Sequence, residues 1–474
     1  MATISSPGIG SGLDIKSIVS QLVALEKAPL TALDVKAATI QTKISAFGQI
    51  KSLVSPLSDA ASTLNSLTTW NAVSASSSNS KAVSASAIGG TAATTFSVEV
   101  QALAKPQDTA SASVLPVGGA VGAGTLTLTL GKWTPPVGLT PASFAPGTAL
   151  PVSITVSASD KLVDVASKIN GANVGVTASV LTDASGERLL LRSKATGVDN
   201  GFQLSVADAD TNNNDALGLS RLTVGSSVTQ YGSDAAATVN GIPVSSATNT
   251  FSNVVSGVSL TVGEVTTSAA TVTVSKDMSA ITGAIEGFVK AYNELNDSLN
   301  ELTKYEPGTK SAGILQGDST ATGLQYALRG ILQSSTQGST FSRLADLGIT
   351  QQLGGNLAVN SGKLNAALDT KLDDVKSLFK ADNSNPLTNG VALKFKTFTA
   401  GLLATDGFFK SKDDSLKRTL DANAKDKTRL NEKVARVEAA LNRRYSALDA
   451  QVSSLNALNS YIAQQVTTWN KNTG

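Results

Sequence analysis

The stretch that decides the fold is LNEKVARVEAALNRRYSALDAQVSSLNALNSYIAQQVTTWN, residues 430–470. Its apolar residues fall at Leu430, Val434, Val437, Leu441, Leu448, Val452, Leu455, Ile462, Val466 and Trp469, in steps of four, three or seven. That is the spacing of a coiled-coil seam. Between Leu441 and Val452 lie eleven residues' advance with Tyr445 and Leu448 inside it, a stutter that relaxes the left-handed supercoil. The other end of the chain behaves alike. Ile15, Ile18, Leu22 and Leu25 share a helical face. Leu33, Ala37, Ile40, Ile44 and Phe47 step by four and three, and Ile50, Val54, Leu57, Ala61, Leu64 and Leu67 resume the pattern after a slip. Taken singly, each helix reads equally as the core face of an ordinary packed helix. Finding the pattern at both termini, which are normally loose, points to one coiled-coil leg built from the two ends.

A chain of 474 residues is too long for one core and implies several domains. Ala, Ser, Thr and Gly dominate, aromatic residues make up 4%, and cores built this way are thin. A net charge of +2, with no basic stripe interleaved with aromatics, argues against nucleic acid. There is no Cys and no His. That removes disulfides, thiolate chemistry, Cys-based metal sites, and the commonest general base and metal ligand. No cationic start with an apolar run marks a secretory signal, and no apolar stretch is long enough for a bilayer. A cytosolic protein fits these facts, and so does one exported by a route that reads no cleaved signal.

Gly8, Gly10 and Gly12 form a G-x-G-x-G that lacks the preceding strand a dinucleotide loop needs. The segment reads instead as a flexible start with Ser11 or Asp14 capping a helix. Pro29 is expected to end or kink that helix, and Pro56 to kink the next one or restart it. Composition shifts near residue 70. Alternation then predicts strands at Phe96–Val100, Leu126–Leu130, Val152–Val156, Val174–Val180 and Val258–Val262. Between them Val163–Gly171 reads as a short helix with a glycine C-cap, and Trp133–Pro151 as a loop or sheet edge. From Asp277 the period returns to helical. Ile281, Ile285, Phe288, Tyr292, Leu295, Leu299 and Leu302 step 4-3-4-3-4-3, which leaves Asn296 off the seam. Helices are expected over Asp318–Gln333 and Lys371–Lys380 and from about Ser415 onward, with a short strand at Leu357–Val359. Pairs such as Asp414/Arg418, Asp421/Lys425 and Glu432/Arg436 belong to solvated helix faces.

Catalysis would have to rest on carboxylates, Ser/Lys or Tyr. Asp373/Asp374 and Asp413/Asp414 read as solvated helix residues, and no nucleophile elbow is present. Asp208, Asp210, Asn212, Asn214 and Asp215 place oxygens at alternate positions, as calcium requires. Asn213 stands where an EF-hand needs glycine and Leu219 where it needs glutamate, so a polar turn is the better reading. No enzyme and no cofactor are expected.

Gly8-Ile9-Gly10-Ser11-Gly12-Leu13-Asp14 followed by Val19, Gln21-Leu22, Glu26 and Pro29-Leu30 resembles the opening of the bacterial flagellar filament-capping (hook-associated protein 2) family. So do Thr95–Val100 with Leu103-Ala104 and Gln107, Val239-Asn240-Gly241, Gly257–Leu260, Phe288–Asn293, Leu315–Asp318 and Leu347–Ile349. Asp406-Gly407, Tyr445, Ala447–Asp449, Leu455 and Tyr461-Ile462 close the series. Leu162–Asn200, with Ile169-Asn170, Gly175-Val176, Leu189–Leu191 and Thr196-Gly197, is similar to the flagellin-type IN motif. Pro56, inside a helix the family keeps smooth, and Ile462, where it tends to have Leu, are departures.

The resemblance implies a multidomain α+β fold: a terminal coiled-coil leg and helical base carrying β-rich heads inserted mid-chain. The expected division is 1–45 with 430–474 as leg, 46–95 with 271–429 as base, 96–118 with 228–270 as one head, and 119–227 as a second head holding the IN-type motif. The leg seam would comprise Ile15, Leu22, Leu33, Ile40, Ile44, Leu441, Leu448, Val452, Leu455, Ile462 and Val466. The base core would comprise Ile281, Ile285, Phe288, Tyr292, Leu295 and Leu299. Implied partners are further copies in a ring (a pentamer as first guess), flagellin, the hook–filament junction proteins and a flagellar export chaperone, with no nucleic acid and no membrane. The implied place is the flagellum tip, outside the cell, reached by type III export without a cleaved signal peptide. Rival readings are another axial protein, flagellin or junction protein, and a surface adhesin that uses the head.

Overall fold

The computed structural model describes residues 14–472. The chain divides into two units, residues 1–70 with 279–474 and residues 71–278. The first part of the chain thus returns to the last part to form one unit, and the middle forms the other.

The unit formed by residues 71–278 is β-rich and has two cores. In one, a five-stranded antiparallel sheet runs β1 (Val73–Ser77), β16 (Ala270–Lys276), β3 (Thr94–Ala102), β12 (Ala235–Val239), β13 (Ile242–Ser246). A three-stranded sheet of β14 (Thr250–Val255), β15 (Val258–Val262) and β2 (Val83–Ala87) shares its core. The alternation is plain in β3, where Phe96, Val98 and Val100 are buried and Glu99 is exposed. The second core lies among two four-stranded sheets and a helix. One sheet places β5 (Gly124–Thr134) between β10 (Gly201–Asp208) and β6 (Ser143–Pro146), with β7 (Val152–Val156) also on β5. The other runs β11 (Ser227–Gln230), β4 (Asp108–Ala110), β9 (Gly186–Ser193), β8 (Val176–Asp183). Leu162, Val165, Ala166 and Ile169 of α3 (Leu162–Ala172) are buried in this core with Leu126, Leu128, Leu189 and Phe202.

One local expectation changes here, the glycine C-cap of α3. Gly171 lies inside α3; the helix ends instead on Asn173, whose φ of 48° is one that Asn tolerates. The Pro-rich stretch contains β6, an edge strand on β5, where a proline costs no ladder bond. The 208–215 segment spends its oxygens on itself. Asp208 accepts from Ser220 N (2.8 Å), Asn213 Oδ1 accepts from Asp208 N (2.7 Å), Asp210 Oδ1 accepts from Asn212 N (2.9 Å), and Asp215 accepts from the Asn212 amide (3.0 Å). Gly218, at φ 53°, makes room for this: a Cβ there would meet the Asp208 carboxylate at 2.4 Å.

The other unit is helical. It contains α1 (Ile15–Asn65), α2 (Leu67–Trp70), α4 (Met278–Thr303), α5 (Ser319–Gln333), α6 (Ser361–Lys380), α7 (Val391–Leu403) and α8 (Phe408–Asn472), with small hairpins β17–β18 (Tyr305–Glu306, Ser311–Ala312) and β19–β20 (Ile349–Gln351, Leu357–Val359). Asp14 caps α1 by accepting from Ser17 N at 2.9 Å. Neither Pro29 nor Pro56 ends α1, so of the expected outcomes the helix end at Pro29 and the restart at Pro56 do not occur. Both rings lie on the exposed face, and Ile50, Val54, Leu57, Ala61 and Leu64 are buried on the other. A helix-interior proline costs about 3 kcal/mol, whereas burying Ile50, Val54, Leu57 and Leu64 returns roughly 1.5–3 kcal/mol each. α6 does break, at Lys371 (φ −142°, ψ 45°).

Ile281, Ile285, Phe288, Tyr292, Leu295 and Leu299 of α4 are all buried. Phe395 of α7 packs against Phe288 (ring centroids 5.1 Å) and Tyr292 (6.2 Å), and Trp70 packs against Phe379 (5.8 Å). Burial pushes the Tyr292 hydroxyl up to about 12. Asn296 is also buried, which corrects its placement outside the seam. Its amide donates to Gly354 O (3.0 Å) and Asn356 Oδ1 (2.7 Å), so α4 turns a wider face inward than a strict heptad.

Candidate assembly surface

α1 and α8 pack side by side and antiparallel. Lys433 pairs with Glu26 (2.9 Å), Lys427 with Asp34 (2.5 Å), and the Lys412 ammonium stands 4.8 Å above the Phe47 ring, so partners climb α1 as they descend α8. These exposed pairs fix orientation more than they stabilise. The apolar contact is formed by Ile15, Val19 and Val23 with Val434, flanked by Leu430, Leu441 and Tyr445. Two adjacent apolar rows run along the start of α1. The row facing α8 is Ile15/Val19/Val23; Ile18 and Leu22 are half-buried and Leu25 is exposed, which corrects the predicted face. Leu33 is half-buried and Ile40 buried. Ile44 is half-buried because it lines a cavity of about 240 Å³ with Phe47, Phe409 and Leu416.

Two polar features of this pair have no counterpart in the apolar pattern. Asn423 occupies a seam position, seven residues before Leu430, and is buried; its amide donates to Leu33 O at 2.9 Å. A single amide in a seam fixes register at some cost in stability. Lower down, Lys412 reaches both carboxylate oxygens of Asp318 (3.2 and 3.1 Å) and Thr320 Oγ1 (2.9 Å). Asp318 is itself the N-cap of α5, accepting from Thr320 N (3.0 Å) and Ala321 N (3.4 Å). The Asp318 and Lys412 side chains are only 10% and 20% exposed. Burial pushes the Asp318 carboxyl up, but the Lys412 ammonium and the Thr320 bonds outweigh it and hold the group below the usual carboxylate range. Three helices, α1, α5 and α8, therefore meet at one ion pair.

Past Tyr445 the picture changes. Val452 is half-buried, while Leu448, Leu455, Ile462, Val466 and Trp469 are 42%, 63%, 50%, 50% and 73% exposed. Val434, on the same stripe, is 3% exposed. The charged residues of α8 sit elsewhere: Asp413 pairs with Lys417 (2.7 Å) and Asp414 with Lys410 rather than Arg418, both exposed i,i+4 contacts. Asp374 accepts from Thr340 N at 3.1 Å. Among the described residues, no group of three or more Asp or Glu is placed to hold a metal ion, and no helix is long and apolar enough to cross a membrane.

Comparison with known proteins places this arrangement. The family descriptions Flagellar hook-associated protein 2 N-terminus and C-terminus match residues 11–107 and 232–457. The flagellar hook-associated protein 2 of Escherichia coli K12 is 31% identical over 480 residues, covering 98% of each chain. The chain belongs to the flagellar hook-associated protein 2 family. The B-type flagellar hook-associated protein 2 of Pseudomonas aeruginosa is 30% identical, over 95% of this chain and 94% of the relative. Between the two hook-associated protein 2 segments, the Flagellin hook IN motif matches residues 143–195, which hold β6, β7, α3, β8 and β9. The D1-D2-D3 domains of the flagellar cap protein FliD from Escherichia coli superpose with a TM-score of 0.61 at 29% identity, covering 78% of this chain and 99% of that one. The mixed α+β architecture, with long terminal helices around a β-rich middle, is thus the hook-associated protein 2 fold.

Proposed function

We propose that this chain is the structural cap of a bacterial flagellar filament. It works at the filament tip, outside the cell, where copies of it associate with each other and with flagellin, retain exported flagellin and promote its folding and insertion. Membership of the hook-associated protein 2 family supports the role. The observation that carries the docking mechanism is the stripe Leu448, Leu455, Ile462, Val466 and Trp469, exposed in the single chain although Val434 on the same stripe is buried. An apolar helical stripe of this length is costly in water and calls for a helical partner.

The α1–α8 pair is the leg, and the stripe docks into the tip of the filament. Five copies close the ring, and the β-rich unit supplies contacts with neighbours. The chain leaves the cell unfolded through the flagellar type III route, with no cleaved signal, after being held by an export chaperone, and it meets the junction proteins before the first flagellin arrives. Nothing in this role asks for catalysis: the work comes from flagellin folding. Electron microscopy of the purified full-length protein tests it. Small closed rings are expected; long self-assembled filaments, or monomers at all concentrations, would overturn it.

A further inference from the structure

Asn170, in the last turn of α3, carries an arrangement that the capping role does not use. Among the described residues β8 is the end strand of its sheet, bonded to β9 alone. Its register with β9 is unbroken over all eight residues, and its sequence, VTASVLTD, has no lysine, no proline and no bulge, the usual devices that blunt an edge. Leu181 on it is 45% exposed. The Asn170 side chain meets this edge at Ala178. Its Nδ2 donates to Ala178 O at 2.8 Å, and its Oδ1 accepts from Ala178 N at 2.8 Å. One amide thus takes both backbone groups of one residue, as the opposing residue of a neighbouring strand would. The chain reversal at Asn173 (φ 48°) and Gly175 (φ 80°) sets the helix end beside the strand.

The backbone groups of Ala178 point away from β9, so by alternation those of Val180 and Thr182 do too. The side chains at these two positions carry no charge that would repel a second strand. An antiparallel pair of identical strands is self-complementary, so the natural occupant of this edge is β8 of a second copy. We propose that Asn170 is a strand surrogate that closes the free edge of β8 and prevents two copies from joining edge to edge. This gives the Ile169-Asn170 pair a divided role: Ile169 is fully buried in the core, and Asn170 guards the edge. The proposal does not rest on the capping reading.

The test compares full-length wild type with Asn170→Ala by sedimentation velocity across a concentration series, with hydrogen exchange on the β8 peptide. The variant is expected to form species larger than any wild-type assembly, growing with concentration, and to gain protection at Val180 and Thr182 as it does so. Adding Val180→Pro removes an outward N–H without touching the ladder to β9, and is expected to return the wild-type distribution. Asn170→Asp, which keeps the volume and the acceptor but loses the donor to Ala178 O, is expected to associate as well and covers the case in which the alanine variant misfolds. A wild-type distribution for both Asn170 variants, or association that survives Val180→Pro, would overturn the proposal.

Discussion

Replacing Asp318 should loosen the helical unit more than any other single surface-proximal change. In Asp318→Ala the N-cap of α5 is lost, at about 1 kcal/mol. Lys412 keeps Thr320 Oγ1 and the Phe47 ring but loses its carboxylate while four-fifths buried. Stranding a fully buried charge costs about 3–5 kcal/mol, and the remaining exposure and partners reduce that, so the total is about 2–4 kcal/mol. For a unit of this size that lowers the midpoint by roughly 5–15 °C. Lys412→Met should cost less, about 1–2 kcal/mol, because Asp318 still caps α5. The double variant should therefore show clear coupling.

The pH dependence has a definite sign. The folded pKa of Asp318 lies below its unfolded value of about 3.9, so its contribution is present above that range and is lost as pH falls through the folded pKa. The stability gap between wild type and Asp318→Asn should accordingly close as pH drops below about 4. Thermal melts followed by far-UV circular dichroism over a pH series measure both effects. A melting point unchanged in Asp318→Ala, or a gap that widens in acid, would refute the reasoning.

Other outcomes are equally specific. Leu295→Asp should unfold the helical unit, since an unpaired buried carboxylate costs several kcal/mol. Asn296→Ala should cost about 1–3 kcal/mol, because it breaks the bonds to Gly354 and Asn356; equal melting points for the two variants would contradict the assigned face. Hydrogen exchange on the monomer should show residues 446–472 exchanging far faster than residues 281–299, and comparable protection would mean that the exposed end of α8 is not a marginal helix.

Periodicity made the helices and most strands legible, because a packed strand or helix must repeat its apolar face. It failed where more than one face is apolar. The start of α1 offers two neighbouring rows, and only the presence of α8 selects Val19 and Val23 over Ile18 and Leu25. α7, VALKFKTFTAGLL, buries Val391, Phe395, Thr399 and Leu402 at steps of four and three, but Thr399 stands inside that face and hides the period from a reading of apolar residues alone. Pro29 and Pro56 do not end a helix here, because packing along the rest of α1 outweighs their local propensity. Polar residues with distant partners stayed hidden. Asn296, Asn423 and the Asp318–Lys412 pair each acquire their role from a segment remote in sequence.

The most direct test of the capping account is removal of Leu455–Gly474 in the bacterium that carries this chain. The deletion takes away Leu455, Ile462, Val466 and Trp469 and leaves the buried α1–α8 contact at Val434 in place. Flagellin in the culture medium is measured beside filament counts on cells, after confirming that the shortened protein is still exported. The account predicts normal export, flagellin spilled unpolymerised into the medium, and cells without filaments. Full-length filaments on cells carrying the truncation would contradict it.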